Sequence, residues 1–388
     1  MNNLVSLDYI DSYKTAKVQE KLEKAIEDLK LASKFKPKMK VLIKPCLPFA
    51  ESQDKAKSTH PAVVRAVVNI LSNMGVTCIV ADSPFKKFSV TNLDSVYLNT
   101  GMLEVANTSR CELNHNLSTY KIDTPNGVKT KSLTLLEVVN EVDAIINIGK
   151  INIKENLGYV GATTNLFGLI PGELKNIVLN RLNTLRDYNH YILDLMQAVE
   201  NKVAFNVLDG VVTLEAGDTQ RMLYCLGVSE NALSLDATIF DILGISYNKT
   251  ILKVAEERGM FNMEKPYKLI SGDIKRFKVE DFALNDVDLD SKINPNNADK
   301  KHYFKQNQQR IVIPKNKCKG CGICCKICPT GAIMMKYDKN GELYAHVDYS
   351  KCIFCFKCNT ACPYSVIDVH TPANYKALKK DLDKYNEK

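Results

Sequence analysis

Apolar positions along the first two-thirds of the chain follow two alternating patterns. Short apolar runs typical of buried strands occur at 39–44 (MKVLIK), 76–82 (VTCIVAD), 144–149 (AIINIG) and 203–209 (VAFNVLD). Segments with apolar residues at helical spacing flank and separate these runs, at 13–33, 61–74, 134–142, 191–200 and 231–243. Strands that alternate with helices at this interval predict an α/β fold, in which a mostly parallel sheet is flanked by helices.

Polar residues stand at the ends of these predicted strands. Ligands of parallel sheets bind beyond the carboxyl ends of the strands, which directs attention to Lys44, Cys46, Asp82, Lys150 and Asp209. The two lysines could neutralise an acidic substrate, or could bury their stems and extend the ammonium group to water. The aspartates could cap helices or transfer protons. The cysteine could be redox-active, a ligand or a plain buried thiol.

A glycine-rich segment, LGYVGATTNLFGLIPG, occupies residues 157–172. Such a segment can present backbone amides to a phosphate or carboxylate, although it is neither a Walker A loop nor a dinucleotide-binding turn. The alternative is a tight turn packed against the sheet. No catalytic residue is identified, and the candidate substrate-binding residues are Lys44, Lys150, Thr163, Thr164 and Asn165.

Nine of the thirteen cysteines fall between Cys318 and Cys362, where the spacing C-x2-C-x2-C-x3-C-P occurs twice. In a reducing cytosol this crowding indicates metal rather than disulfides. Three cysteines at steps of three bind one cluster, and the fourth reaches the other cluster. The sequence therefore predicts two 4Fe-4S clusters, with paired zinc sites as the alternative.

The spacing also assigns the ligands of each cluster. The first cluster is predicted to be bound by Cys318, Cys321, Cys324 and Cys362. The second is predicted to be bound by Cys352, Cys355, Cys358 and Cys328. Because Cys325 would break the three-residue spacing that runs through Cys324, it is predicted to be a thiol that binds no iron. Residues 333–348, between the two runs, predict two strands around an Asn340-Gly341 turn.

The formal net charge of +8 does not indicate nucleic-acid binding, because the lysines are spread along the chain rather than gathered in one basic, aromatic-rich block. A 4Fe-4S cluster with four thiolates carries about −2, so two clusters would lower the charge to about +4. No apolar run reaches about 18 residues, and the first residues lack the pattern of a signal peptide. We therefore expect a cytoplasmic protein with no membrane insertion and no nucleic-acid partner.

These patterns divide the chain into four parts. An α/β domain covers residues 1–272, and a connector rich in asparagine, aspartate and lysine covers 273–310. A small α+β, ferredoxin-like dicluster domain covers 311–370. A charged tail follows at 371–388.

Several motifs in the large domain resemble one known family. VLIKPCLP, THPAVVRAVV, DAIINIGK, GATTNLFGLIPG and VLDGVV are similar to sequences of domain of unknown function 362, over roughly residues 39–245. The resemblance implies an iron–sulfur protein of unsettled activity, whose members often carry a C-terminal bacterial-type dicluster 4Fe-4S ferredoxin domain. This chain has Thr164 where the family commonly has lysine, and Cys46 where it commonly has asparagine.

The clusters predict electron transfer, and two forms of it stay open. In the first, the protein is a reductase that passes low-potential electrons to an acidic or phosphorylated small molecule at the α/β domain. In the second, it is a ferredoxin-type carrier whose α/β domain docks a partner redox enzyme. The fusion of a cluster domain to an α/β domain of this size favours the reductase, which is the interpretation adopted from the sequence. The lack of a flavin or nicotinamide fingerprint favours the carrier, so oxidoreductase activity is undecided by the sequence. Either form requires a redox partner protein that donates or accepts electrons.

Overall fold

The computed structural model describes residues 2–85, 88–293, 310–328, 330–349, 351–352 and 357–370. Contacts divide the chain into two compact units. Unit 1 comprises Met1–Gly172 and Leu182–Ile293, and unit 2 comprises Glu173–Arg181 and Asn294–Lys388. The first residues of the polar stretch after residue 272 thus group with unit 1, in whose core Phe277 and Phe282 are buried.

The α-helices of the described part are α1 Thr15–Asp28, α2 Pro61–Asn73, α3 Val90–Asn99, α4 Met102–Thr108, α5 Val138–Glu141, α6 Ala162–Asn165, α7 Gly172–Arg181, α8 Leu185–Val199, α9 Ala232–Leu243, α10 Ile251–Glu257, α11 Ile323–Ile327 and α12 Lys357–Ala361. Single 3-10 turns lie at Leu31–Lys34, Gln53–Lys55, Leu166–Leu169, Tyr247–Lys249 and Ile274–Arg276. None of the described helices combines the length and apolar character needed to cross a membrane.

The described strands are β1 Leu4–Tyr9, β2 Lys40–Pro45, β3 Thr77–Val80, β4 Cys111–Leu113, β5 Thr119–Asp123, β6 Ser132–Leu136, β7 Ala144–Lys154, β8 Gly158–Val160, β9 Val203–Leu214, β10 Gln220–Ser229, β11 Lys268–Ser271, β12 Arg310–Val312, β13 Ile333–Tyr337, β14 Leu343–Val347 and β15 Asp368–His370. Nine of them form one sheet in unit 1, in the order β11-β1-β10-β9-β7-β2-β3-β4, with β8 paired to β7.

The sheet is mixed but mostly parallel, which confirms the predicted α/β class. Parallel pairs are β2/β3, β2/β7, β3/β4, β7/β9 and β1/β11. Antiparallel pairs are β1/β10, β9/β10 and β7/β8. The central strands β2 and β7 are buried along almost their whole length, as expected for strands covered by helices on both faces.

Local signals explain where the principal helices begin and end. Pro61 is the first residue of α2, and the Nδ1 atom of His60 accepts the Ala62 N–H as a cap. Helix α9 begins after Asn231, whose side chain accepts two backbone N–H groups, and ends at Gly244 with φ +68°. The prediction of a helix over 134–142 was wrong, since these residues are shared between β6, which pairs with β5, and the short α5.

Unit 2 contains two short antiparallel pairs, β12/β15 and β13/β14. Strands β13 and β14 lie on either side of Asn340 and Gly341, where Gly341 has φ +77°. Helices α11 and α12 carry cysteines of the two motifs. A small core formed by Ile311, Ile333, Val347 and Ile367 holds these elements together.

Candidate functional site

The cysteines of the two motifs gather around the small core of unit 2. Cys324 and Cys358 are buried in that core, and four more predicted ligands pack against it, namely Cys318, Cys328, Cys352 and Cys362. Cys321 is exposed, and Cys355 lies outside the described residues. The non-ligand candidate Cys325 also packs against the core.

Backbone groups already point at two of these sulfur atoms. The Ala345 N–H donates to Cys318 Sγ at 3.4 Å, and the Ala332 N–H donates to Cys328 Sγ at 3.2 Å. Burial acts to raise the pKa of Cys328, but hydrogen bonds from the backbone and side chain of Thr330 and the backbone of Ala332 outweigh it and lower the pKa. Burial and the neighbouring Cys325 raise the pKa of Cys324 to about 12. An iron ligand must be a thiolate, and amides aimed at sulfur stabilise that form.

The donor set fits a 4Fe-4S cluster. Thiols grouped in a small apolar core, with backbone N–H groups directed at sulfur, are the environment that such clusters occupy. Within the described residues, no three histidine, cysteine, aspartate or glutamate side chains converge to hold a single metal ion. When bound, 4Fe-4S clusters supply one-electron transfer at low potential.

Unit 1 places Lys44 at the end of β2, fully buried and paired. Its ammonium group lies 2.9 Å from Asp82 Oδ1, and also donates to Pro45 O at 2.9 Å and to Asn165 Oδ1 at 3.2 Å. Asp82 accepts two further bonds, from the backbone N–H groups of Leu47 and Ser83. Both charges are therefore satisfied inside the protein, and a Cβ at Gly168 would overlap them.

A second buried pair lies within the sheet. The prediction that Lys150 and Asp209 stand at strand ends was wrong, because β7 continues to Lys154 and β9 to Leu214. Lys150 Nζ lies 2.9 Å from Asp209 Oδ2 and 2.8 Å from the Tyr13 hydroxyl, which donates to Asp209 Oδ1 at 2.7 Å. Burial, with the adjacent Asp209, raises the pKa of Tyr13 well above its ordinary value, so the phenol keeps its proton. The His60 ring stacks on Tyr13 at 3.6 Å between centroids, and burial lowers the pKa of His60 to about 4.

Buried asparagines continue the first pair across the sheet. Asn165 Nδ2 donates to Asn147 Oδ1 at 2.8 Å, and Asn147 Nδ2 donates to Asn206 Oδ1 at 2.8 Å. Asn206 in turn donates to the backbone carbonyl of Glu230 at 3.0 Å. The Asn165 side chain thus joins the glycine-rich segment to β2, β7 and β9.

The glycine-rich segment does present backbone amides to an anion, and that anion belongs to the protein. Asp236 on α9 accepts the Ala162 N–H at 2.8 Å, the Thr163 N–H at 2.9 Å and the Tyr159 hydroxyl at 2.9 Å. A Cβ at Gly161 would overlap Tyr159 and Asp236, so only glycine permits this close approach. Burial raises the pKa of Asp236, while the hydrogen bonds it accepts oppose that shift.

A cavity of about 350 Å³ lies beside this segment, within unit 1. Thr164 and Asp236 contribute to its wall, together with Asn189 of α8. The rest of the wall is largely apolar and includes Ile153, Leu157, Leu185, Phe240, Ile251 and Leu284. Of the five predicted substrate-binding residues, Thr164 alone lines this cavity; Lys44 and Asn165 belong to the first buried network, and Lys150 to the second.

Sequence reasoning missed two residues of this region. Asp236 stands inside the apolar run NALSLDATIFDIL, and a carboxylate flanked by apolar residues in such a helix is a signal that could have drawn attention. Asn189 carries no comparable signal, because asparagine in an amphipathic helix is ordinarily exposed.

The comparisons with known proteins agree with the cysteine site. A 4Fe-4S dicluster domain matches residues 317–366. The protein is therefore an iron–sulfur electron-transfer protein with a ferredoxin-type domain. The model of a domain of unknown function (DUF362) matches residues 41–241, more than half of the chain, and the chain belongs to that family.

Similar proteins include a thylakoid-associated protein of Synechocystis sp., which is 25% identical over 264 residues, or 66% of this chain and 78% of the relative. Among solved structures, the lactate racemase apoprotein from Thermoanaerobacterium thermosaccharolyticum is 14% identical with a TM-score of 0.38, covering 61% of this chain and 57% of that one. A protein from Thermotoga maritima is 10% identical with a TM-score of 0.33, covering 55% and 54%. This chain spans little more than half of those two structures, and such scores carry no inference about function.

Proposed function

We propose that the protein is a reductase with two 4Fe-4S clusters in unit 2 and a binding site for the reduced small molecule in unit 1. Cys318, Cys321, Cys324 and Cys362 would hold one cluster. Cys352, Cys355, Cys358 and Cys328 would hold the other. A low-potential redox protein would donate the electrons, and the organic acceptor would gain two electrons and two protons.

The observation that carries this proposal is the cavity of about 350 Å³ in unit 1. Its volume is in the range of small-molecule sites, and its wall combines apolar surface with a few polar groups, as such sites usually do. A domain that serves only to dock a partner needs no cavity of this kind. The cavity therefore favours a substrate over a docking scaffold.

An acidic or phosphorylated substrate, bound by the two lysines outside the cavity, is the alternative within this proposal. Lys44 and Lys150 supply positive charge in the sheet, but each already pairs with a buried aspartate. An anion would have to displace Asp82 or Asp209, leaving a buried carboxylate uncompensated, which is costly. The cavity requires no such exchange.

The experiment compares the wild type with Leu157→Trp, whose indole would occupy the cavity from a half-buried position on its wall. Each protein is purified without oxygen, reduced with dithionite, freed of excess reductant and mixed with a metabolite extract below roughly 1 kDa. Mass spectrometry should find a compound that gains two hydrogens with the wild type and does not with the variant. Equal cluster content in both proteins is the control. Reduction of the same compound by both would contradict a site in this cavity.

A carrier function is the second candidate, and exposed apolar side chains in unit 2 favour it. Ile323 and Ile327 on α11 are 40% and 42% exposed, and they flank two predicted ligands. Lys319 and Lys351, which lie next to predicted ligands in the sequence, would attract an acidic redox partner. For a carrier, Ile327→Glu should slow electron transfer to an acidic ferredoxin while Tyr337→Glu, at a 73% exposed position, should not. Electron transfer to protein without any reduced compound in the extract would select the carrier.

A further inference from the structure

One buried amide in the cavity of unit 1 has a nitrogen without a partner. Asn189 on α8 is 3% exposed and lines the cavity. Its Nδ2 atom makes no hydrogen bond to any part of the protein that the structure describes. A buried N–H group without an acceptor carries a desolvation penalty, which a bound acceptor would remove.

The charged groups around the cavity already have partners within the protein. The Asp236 carboxylate is held by two backbone N–H groups and the Tyr159 hydroxyl. Lys249 lines the cavity but pairs with Asp286 at 3.3 Å, and both side chains are mostly exposed, where such a pair has little effect. An anionic ligand would lie beside the buried Asp236 charge without gaining a buried cation.

The larger part of the remaining wall is apolar, beside the polar side chains of Ser246, Thr250 and Asn285. Leu185 on α8, Phe240 on α9 and Ile251 on α10 are buried side chains that contribute to it. These surfaces would bury a hydrocarbon body, and burial of apolar area is the main source of affinity in such a site.

We propose that this cavity binds a small, uncharged organic molecule with an apolar body and a carbonyl oxygen that accepts a hydrogen bond from Asn189 Nδ2. That this molecule is a substrate, and not only a ligand, rests on the proposed reductase function. It names the substrate class as neutral carbonyl compounds instead of acidic or phosphorylated ones. Binding itself requires no electron transfer, so it can be tested separately.

The test uses the fact that the chain has no tryptophan. Ser246, an exposed residue that lines the cavity, is replaced in Ser246→Trp to give a single fluorescent reporter. Oxidised full-length protein is titrated with cyclohexanecarboxamide, and in parallel with cyclohexanecarboxylate, an anion of nearly the same shape. Leu98→Trp, at a 64% exposed position on α3, is the control reporter.

The carboxamide should change the fluorescence of Ser246→Trp in a saturable way, with a dissociation constant at or below about 1 mM for a ligand of this size. The carboxylate should bind about tenfold more weakly because of Asp236. Leu98→Trp should not respond to either compound. No saturable response to the carboxamide, equal binding of the two compounds, or an equal response of both reporters would each overturn the proposal.

The role of Asn189 is tested in the same reporter protein. Asn189→Leu keeps the side-chain size and removes the donor, so it should weaken carboxamide binding by about 3- to 10-fold. Because Nδ2 has no partner among the described residues, the variant should unfold at the same or a higher temperature than the wild type. Asn99→Leu, on the exposed face of α3, is the matched control. Unchanged affinity in Asn189→Leu would overturn the assignment of this residue as the hydrogen-bond donor.

If the carboxamide binds as expected but no compound is reduced, the reductase function fails while the binding site stands.

Discussion

At the scale of single residues, buried charges in unit 1 form closed pairs. Lys44 with Asp82 and Lys150 with Asp209 are each almost fully excluded from solvent. Truncating one member of such a pair leaves the other charge buried and uncompensated, which typically costs about 3–5 kcal/mol. These pairs therefore stabilise the packing of the sheet in the described structure.

The assignment of iron ligands is a prediction about two adjacent residues. Cys324→Ser should lower the iron content from about eight to about four per chain, because it removes a ligand of one cluster. Cys325→Ser should leave about eight, because the three-residue spacing does not include it. Iron and sulfide analysis after anaerobic purification measures both, and the reverse outcome would contradict the assigned spacing.

His60 gives a prediction about pH. Burial lowers its pKa to about 4, from 6.5 in the unfolded chain, so the unfolded state binds more protons between these values. Stability should therefore fall as pH drops below 6.5, by about 2 kcal/mol between pH 7.5 and 5. His60→Asn keeps a helix-capping acceptor and should lose this part of the pH dependence. Urea unfolding at the two pH values compares the proteins, and equal pH dependence would refute the expectation.

At the scale of elements, α9 holds the glycine-rich segment through one carboxylate. Asp236 accepts the N–H groups of Ala162 and Thr163, which begin α6, and Tyr159 of β8 completes the set. The segment therefore has one face toward Asp236 and the cavity, and its Asn165 side chain toward β2 and β7. The glycine-rich segment, which the sequence predicted to bind an outside anion, lies in the structure between the cavity and the buried network of Lys44.

This attachment predicts a difference between two aspartates of α9. Asp236→Asn should lower the free energy of unfolding by about 1–3 kcal/mol, because the amide would turn an N–H toward fixed backbone donors. Asp241→Asn should cost less, since its partners are the hydroxyls of Tyr247 and Tyr267, which can rotate and accept instead. Urea unfolding of both variants measures the difference. A cost for Asp241→Asn equal to that for Asp236→Asn would contradict this role of the carboxylate.

At the scale of the whole molecule, metal content decides the number of clusters. Protein purified without oxygen should contain about eight irons and eight sulfides per chain, and its absorbance at roughly 400 nm should be bleached by dithionite. Removal of iron by a chelator should abolish that absorbance. About one zinc per chain without acid-labile sulfide would refute the clusters and restore the zinc alternative.

The sequence alone determined the features whose signal is local. Continuous apolar runs located β2, β3 and the first parts of β7 and β9, because these strands are buried on both faces, and helical spacing located most of the flanking helices. Cysteine spacing identified the iron–sulfur domain, because three of the four ligands of each cluster recur at steps of three residues along the chain. The hairpin β13/β14 followed from its Asn-Gly turn.

Tertiary structure alone decided the rest. β1, β10 and β11 join the sheet through pairings between residues far apart in the chain, such as Val5 with Ser229, and no short pattern encodes such a partner. The same holds for Lys44, whose environment is set by Asp82 and Asn165 from other elements. Asp236 accepts the backbone N–H groups of the glycine-rich segment, which the sequence predicted to bind an anion from outside the protein. A strand-end lysine or a glycine-rich loop reveals which groups can bind, but only the packed structure shows whether the protein itself already binds them.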